Sequence, residues 1–433
     1  MRFLYLDNFR GFSNTIIPLK SVNFLVGENS TGKTSILALL DRLSSSDFWF
    51  FQDFNSADYE FGGFKDILSV SSTKDESEFT FGLCEILPDE ESGGEKLICY
   101  LVSYREKEGL PIISFFSRLF EEGIVASAKL YNDRYTYMIS NIPAEQIKIN
   151  APDLFCLLKK GRNVDIRDYK AFSKNLPTSA GFTLYSLIHD ALAPSIKPRE
   201  FETMFPRFCS DMAWLAPIRT KPKRTYDGYR RSFSPEGEHT PHLLRRGLSA
   251  GKKEAESFKS ALDEFGKASG LFKQVIVNEL GSDSTSPFEL LIVLSDNPLR
   301  INSVGYGVSQ VLPLVVEMLA RPKNSWFAIQ QPEVHLHPRA QAALGDLIFA
   351  MAEHNEKYFL IETHSDFTID RFRLNYRKSK NHHIESQVLF FERTDSGNKV
   401  SVIPILENGE YSTEQPSTFR DFFLKEQMEL LGI

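Results

Sequence analysis

Three features of this sequence predict an α/β fold with a mixed central sheet, an N-terminal antiparallel β-subdomain and an inserted helical region. The first is Gly27-Glu28-Asn29-Ser30-Thr31-Gly32-Lys33-Thr34-Ser35, a glycine-bearing loop between the apolar run Val22–Val26 and the helical pattern Ile36–Leu40. The second is the strand–helix alternation from Phe288 onward, the pattern of a sheet with helical crossovers. The third is a block of β-type runs within 79–140, including Phe79–Leu87 and Lys96–Val102, separated by turn-rich stretches such as Pro88–Gly94.

In chain order, residues 1–45 read as strand, turn, strand, loop and helix. An N-terminal lobe is expected over 1–149, an inserted helical and loop region over 150–287, and a C-terminal lobe over 288–433. The insertion carries a helical pattern at Tyr185–Leu192. Its Pro-, Gly- and charge-rich stretch Arg219–Lys253 predicts a mobile loop with a helix at its end. Edge strands and a terminal helix are expected after Asp370.

The 433 residues, 42% hydrophobic and 25% charged, have the composition of a soluble globular protein. No apolar run reaches membrane-span length and Met1–Tyr5 enters a strand directly, so a cytoplasmic protein without signal peptide or membrane partner is expected. Cys84, Cys99, Cys156 and Cys209 lack C-x-x-C spacing and read as isolated, reduced thiols. The net charge of −7 excludes a uniformly basic nucleic-acid binder but not a local basic patch.

The loop has the spacing G-x-x-x-x-G-K-T. Such a loop turns its N–H groups around polyphosphate, and the following helix adds partial positive charge. Gly27, Asn29, Ser30, Thr31, Gly32, Lys33, Thr34 and Ser35 are therefore the nucleotide-binding candidates. Lys33 reaches the β- and γ-phosphates, and the Thr34 hydroxyl ligates Mg²⁺. A chance glycine turn is the bland alternative, and the complete spacing with both flanks argues against it.

Three later segments supply partners. Ser303–Gln310 opens the apolar helix Val311–Leu319, where Gly307, Ser309 and Gln310 can face phosphate; equally, Ser309 can cap the helix. Trp326–Ile329 is a buried strand ending in Gln330-Gln331-Pro332-Glu333, where ligand crevices form. Glu333, His335 and His337 alternate, but Pro332 and Pro338 bracket a turn and no further ligand lies at a fixed spacing, which argues against a dedicated zinc site. Tyr358–Ile361 is another apolar strand, followed by Glu362-Thr363-His364-Ser365-Asp366. His364 falls where a γ-phosphate sensor would sit.

Together these motifs resemble the ABC-type ATPase heads of the RecF, SMC and overcoming-lysogenization-defect proteins, over about residues 1–70 and 288–380. Leu6–Phe12 matches the N-terminal strand-and-arginine motif, which adds Arg10 to the nucleotide contacts. Gly27–Ser35 matches Walker A, Gly305–Gln310 the signature, Gln330–Glu333 Walker B, His335–Pro338 the D-loop and Thr363–Ser365 the switch histidine. The resemblance implies ATP and Mg²⁺ as ligands, with Thr34 and Gln330 toward the metal and Gln331, Glu333 and His364 toward the attacking water. Because one subunit's signature completes the other's site, it also implies a homodimer or higher homo-oligomer around ATP. Trp214–Tyr226 is similar to the proline-and-arginine motif of standalone anti-phage ATPases such as the Septu subunit PtuA and the PARIS ATPase. That implies a separate effector protein, such as a nuclease, since the chain has no nuclease motif of its own.

The sequence departs from the pattern where Walker B usually ends in two carboxylates. Gln330 and Gln331 are uncharged, and an amide cannot act as a general base. Its loss costs roughly 10²–10⁴ in rate, so ATP binding with slow hydrolysis is expected. Direct DNA binding is the competing reading. Arg219, Lys221, Lys223, Arg224, Arg230 and Arg231 interleave with Tyr226, Tyr229 and Phe233, and Arg245, Arg246, Lys252 and Lys253 follow. Such interleaving suits backbone neutralisation and base stacking. A solvated loop, or arginines serving the nucleotide or the subunit interface, fits the same residues.

Overall fold

The computed structural model describes residues 1–56, 58–70, 77–88, 95–120, 123–172, 188, 191, 208–209, 212–228, 232–379 and 384–422. The elements begin with β1 (Arg2–Asp7), β2 (Thr15–Leu19), β3 (Val22–Gly27), α1 (Lys33–Ser44), α2 (Ser46–Phe51) and α3 (Phe64–Ile67). Then come β4 (Glu78–Pro88), β5 (Glu95–Lys107), β6 (Leu110–Leu119), β7 (Ile124–Tyr131), β8 (Arg134–Asn141), α4 (Ala151–Lys160), β9 (Lys170–Ala171) and β10 (Ala213–Leu215). Next are α5 (Thr240–Leu248), α6 (Lys252–Ser269), β11 (Gln274–Glu279), β12 (Phe288–Val293), β13 (Pro298–Arg300) and α7 (Tyr306–Ala320). The series closes with β14 (Trp326–Gln330), α8 (Pro338–Asn355), β15 (Tyr358–Glu362), α9 (Asp366–Lys378), β16 (Ser386–Thr394) and β17 (Gly397–Ile405).

These elements form two units, each discontinuous in sequence. One comprises Met1–Lys20, Glu28–Ser210 and Phe391–Val402, the other Ser21–Gly27, Asp211–Phe390 and Ile403–Ile433. The divisions cut across the expected boundaries at 149/150 and 287/288: α4 lies in the first unit, while β10, α5, α6 and β11 lie in the second.

The first unit contains the expected antiparallel β-subdomain, a sheet of order β2-β1-β4-β5-β6-β7-β8-β9. Alternation along its strands sends side chains to two faces. Tyr5, Cys84, Cys99, Leu101 and Phe115 meet Leu154, Phe155 and Leu158 of α4. That helix starts where it does because Asn150 Oδ1 accepts the Asp153 N–H at 3.0 Å and Pro152 occupies the first turn. On the other face Phe54, Phe79, Phe81 and Tyr104 pack with ring centroids 5.1 to 5.7 Å apart. Such aromatic pairs each contribute about 0.5–1.5 kcal/mol beyond area burial. The cysteines at 84 and 99 are not isolated. The β4–β5 register sets them directly opposite, with Sγ atoms 2.8 Å apart, and both are free thiols.

The second unit is built on a sheet of order β10-β14-β15-β3-β16-β17. Its pairs β10–β14, β14–β15 and β15–β3 are parallel. The two-residue link between β16 and β17 requires an antiparallel hairpin, which makes the sheet mixed. Every residue of β3 and β14 is buried, and that is why both read as largely apolar runs, interrupted only by the buried Asn23 in β3 and ended by Gln330 in β14. Phe24, Phe327, Ile329, Phe359 and Ile361 share a core with Val311, Val315, Leu344, Ile348, Ile369 and Phe372 from α7, α8 and α9. A smaller antiparallel sheet, β11-β12-β13, packs its Val275, Leu290 and Ile292 into the same core.

The stretch expected as a mobile loop is anchored in several places. Tyr226 bridges Phe288 through paired backbone hydrogen bonds, and its hydroxyl accepts the Lys223 N–H at 3.0 Å. Residues 229–231 lie outside the described ones, as do most of the helical pattern at 185–192 and the chain beyond 422.

One buried cation gives this unit a pH signature. Lys357 is 2% exposed and donates to the Met318 carbonyl near the end of α7. Burial pushes its ammonium down from 10.5 to about 8. The folded chain thus holds this proton less tightly than the unfolded chain, so stability rises as pH climbs through that interval. Lys357→Met is expected to flatten the rise, read as the difference between wild-type and variant urea midpoints from about pH 7 to about pH 10.

Candidate nucleotide site

Gly27, the last residue of β3, leaves the sheet at φ 137°, and the loop then bends through Ser30 at 61° and Gly32 at 90°. These left-handed positions tighten the loop, which is why two are glycine. A Cβ on Gly32 would also stand 2.5 Å from the Phe12 ring. Gly32 caps α1 without a side chain, and the first turn holds no acidic residue. Amide donors with no competing carboxylate fit a phosphate group.

Lys33 is 3% exposed and folds back, Nζ donating to the Glu28 carbonyl at 2.6 Å. Thr31 Oγ1 donates to the same carbonyl at 2.8 Å. From the β16–β17 hairpin, Arg393 donates to the Ser30 carbonyl at 2.9 Å, a tether across 363 positions that the sequence did not reveal. Asn29 is exposed at the loop's tip, and Ser35 is buried in the first turn of α1. Arg10 Nη2 donates to the Phe61 carbonyl at 2.6 Å, and its guanidinium lies over the Phe61 ring.

In the second unit the parallel strands end side by side, and the predicted residues collect at those ends. Gln330 and Glu362 are register partners on β14 and β15, and Gln330 Nε2 donates to Glu362 Oε2 at 3.3 Å. Gln331 takes φ 41° and donates its N–H to the Glu362 carbonyl at 2.7 Å. A left-handed glutamine is an uncommon backbone state of the kind that gathers at functional sites. Glu333 then accepts from Thr363 Oγ1 at 2.8 Å and from the His364 N–H at 2.7 Å. It fixes the loop that carries His364, whose ring is exposed and 6.4 Å from that of Phe422. Ser365 caps α9 by accepting the Thr368 N–H at 3.1 Å.

The signature segment differs from one expectation. The cap of α7 is Gly305, and Ser309 lies one turn inside, 6% exposed, donating to the Tyr306 carbonyl at 2.8 Å. Gly307 is glycine because a Cβ there would meet the His335 carbonyl at 2.9 Å. Gln310 faces inward: its amide accepts the Arg219 N–H at 3.3 Å and donates to the Arg219 carbonyl at 3.4 Å.

Arg219 is 2% exposed and donates Nη2 to the Gln330 carbonyl at 3.3 Å. Its Nε and Nη1 have no hydrogen-bond partner among the described residues. Burial lowers its guanidinium to about 10, with Glu333 partly offsetting the effect. Such a residue takes no part in a DNA surface, and Tyr226 is likewise 9% exposed. Of the later cluster, Arg245 is committed to Glu279 through two hydrogen bonds at 2.8 and 2.6 Å.

His335 packs edge-on against Tyr306, and His337 Nδ1 accepts the Ala340 N–H at 3.4 Å to cap α8. Among the described residues no group of three or more His, Cys, Asp or Glu could hold a metal ion. Mg²⁺ at a phosphate site needs only one or two carboxylates besides hydroxyl, water and phosphate oxygens. A cavity of about 880 Å³ lies away from these motifs, lined by Phe233, His239, Arg245, Glu279, Glu317 and Arg321. Two of its arginines, 245 and 321, are paired with Glu279 and Glu317, while the third, Arg246, is exposed. No helix among the described residues is long and apolar enough to cross a membrane.

The contacts of Glu333 can be tested by stability. Glu333→Ala strips Thr363 Oγ1 and the His364 amide of their acceptor and is expected to cost about 1–3 kcal/mol. Glu333→Gln keeps an acceptor oxygen and should lose less, both read from urea denaturation midpoints.

Comparison with solved structures finds similarity to the SMC head bound to the C-winged helix domain of ScpA, at 13% identity, covering 93% of this chain and 97% of that one, with a TM-score of 0.42. The SMC head domain from Thermotoga maritima matches at 12% identity over 93% and 99% of the two chains, with a TM-score of 0.36. The Smc head of Pyrococcus furiosus with an extended coiled coil, bound to the C-terminal domain of ScpA, matches at 12% over 100% and 99%, with a TM-score of 0.40. No curated protein matches the sequence. The AAA_15 model, described as an AAA ATPase domain, matches residues 1–369, and the chain therefore belongs to the AAA_15 family of ATPase domains.

Proposed function

We propose that this chain is an ABC-type ATPase that binds Mg²⁺-ATP at the Gly27–Ser35 loop and closes on a second copy of itself around the nucleotide. In this reading Lys33 leaves the Glu28 carbonyl for the β- and γ-phosphates, and the first-turn amides of α1 receive their charge. Thr34 and the strand-end residues serve the metal. Gly307, at the start of α7, faces the partner's nucleotide, and Ser309, buried one turn inside, joins it only once its hydroxyl leaves the Tyr306 carbonyl. Gln331 and His364 hold the attacking water as hydrogen-bonding groups, and Glu333 sets the position of His364. Without a carboxylate at position 331, hydrolysis is slow and acts as a release step.

The observation that supports this reading most is the loop's own geometry in a chain of an ATPase family: left-handed turns, an uncapped helix start and a buried lysine held by a backbone carbonyl. The biological role we favour is control of a separate effector, a nuclease, in bacterial anti-phage defence. It draws on the similarity of Trp214–Tyr226 to standalone defence ATPases of the Septu and PARIS kind. The burial of Arg219 and Tyr226 and the pairing of Arg245 remove these three from a direct, RecF-like DNA surface, while Lys221, Lys223, Arg224, Arg246, Lys252 and Lys253 are exposed.

Lys33→Ala removes a charge-assisted contact to phosphate and is expected to weaken ATP binding about 10- to 100-fold. Titration with a fluorescent ATP analogue reads this directly. Equal affinity in the variant would refute the site. Salt-sensitive, ATP-dependent DNA binding by the isolated chain would instead favour the DNA reading.

A further inference from the structure

Position 330, where two-carboxylate ATPases carry an acid, is an amide here, but its neighbour across the sheet is a carboxylate. Glu362 ends β15 as Gln330 ends β14, in parallel register, so both side chains leave the same face of adjacent strands. Gln330 Nε2 donates to Glu362 Oε2 at 3.3 Å. Two acids in these positions would repel each other at close range in a buried setting, since Gln330 is 8% and Glu362 7% exposed. One amide and one acid leave a single negative charge with a donor beside it. On this geometry the Gln330 amide is a donor matched to the carboxylate at 362.

Sheet order brings Glu362 closer to Gly27, the last residue of β3, than Gln330 is. β15 lies next to β3, and β14 lies one strand further away. Glu362 is the register partner of Leu25, and the following Thr363 donates its N–H to the Leu25 carbonyl at 3.2 Å. Two residues beyond Leu25 the chain reaches Gly27 and enters the loop. Glu362 is also held firmly, its carbonyl accepting the Gln331 N–H at 2.7 Å. The other carboxylate nearby, Glu333, already has each oxygen accepting from the His364 loop.

We propose that Glu362 is the acid of this site, supplying from β15 the negative charge toward Mg²⁺ that the Walker B strand supplies in two-carboxylate ATPases. The proposal rests on the nucleotide-site reading above. It relocates the metal's carboxylate and leaves position 331 without a general base. ATP binding with slow, metal-dependent turnover is the behaviour expected from that pairing.

The test uses Mn²⁺ in place of Mg²⁺, with metal binding to the full chain and ATP followed by electron paramagnetic resonance. Glu362→Gln should weaken Mn²⁺ binding about 10- to 100-fold, while ATP affinity measured in a metal chelator does not fall. The double exchange Gln330→Glu with Glu362→Gln returns one acid to the pair and should recover most of the metal affinity. Thermal midpoints of both variants check folding. Wild-type Mn²⁺ affinity in Glu362→Gln would overturn the proposal, as would a loss that the double exchange fails to recover. If the unaltered chain bound no ATP even in chelator, the nucleotide-site reading itself would fall, and the proposal with it; a missing metal effect alone would remove only the proposal.

Discussion

The hydrogen bond from the Gln331 amide to the Glu362 carbonyl, 2.7 Å long, governs how the central strands end. Until that point β14 and β15 run in parallel register and present buried apolar side chains. Gln331 then turns left-handed, spends its N–H on the neighbouring strand and sends the chain through Pro332 to Glu333. Because the register is locked, Gln330 faces Glu362. Because the turn is tight, Glu333 reaches back to Thr363 and His364. A one-residue slip would move every one of these side chains to the opposite face.

Arg219 completes the arrangement from the β10 side. A buried guanidinium with two unpartnered nitrogens is costly to keep. It links the Gln330 carbonyl to Gln310 through its own backbone, and so ties the end of β14 to the first turns of α7. Gly307 adds a second tie at the His335 carbonyl, where only a residue without Cβ fits. The strand ends and the signature helix therefore form one packed assembly. Any ligand that shifts one of them works against the same few hydrogen bonds.

Much of this was legible in the sequence. The phosphate loop, both buried strands and the helices after them stand out because full burial makes continuous apolar runs and the spacing of glycine and lysine is specific. Pairing across the sheet was not legible. Glu362 drew no candidate role because its importance comes from Gln330 lying opposite, and register is a three-dimensional fact. A charged residue closing an otherwise apolar strand was the one signal available. Cys84 and Cys99 looked isolated for the same reason. Arg393 lies too far along the chain for any local pattern to connect it with Ser30. Arg219 sat in a stretch whose composition resembles a solvated loop, and only its burial shows otherwise. Ser309 was legible either as a phosphate contact or as a cap because it follows glycines, and the second of these fails because the helix begins three residues earlier.

The central claim is that ATP joins two copies of this chain through a site that neither completes alone. Light scattering, with bound nucleotide counted in the same sample, tests it most directly. The account predicts a monomer mass without nucleotide and a doubled mass with Mg²⁺-ATP, carrying one ATP per chain. A mass that stays unchanged while one ATP binds each chain would contradict it.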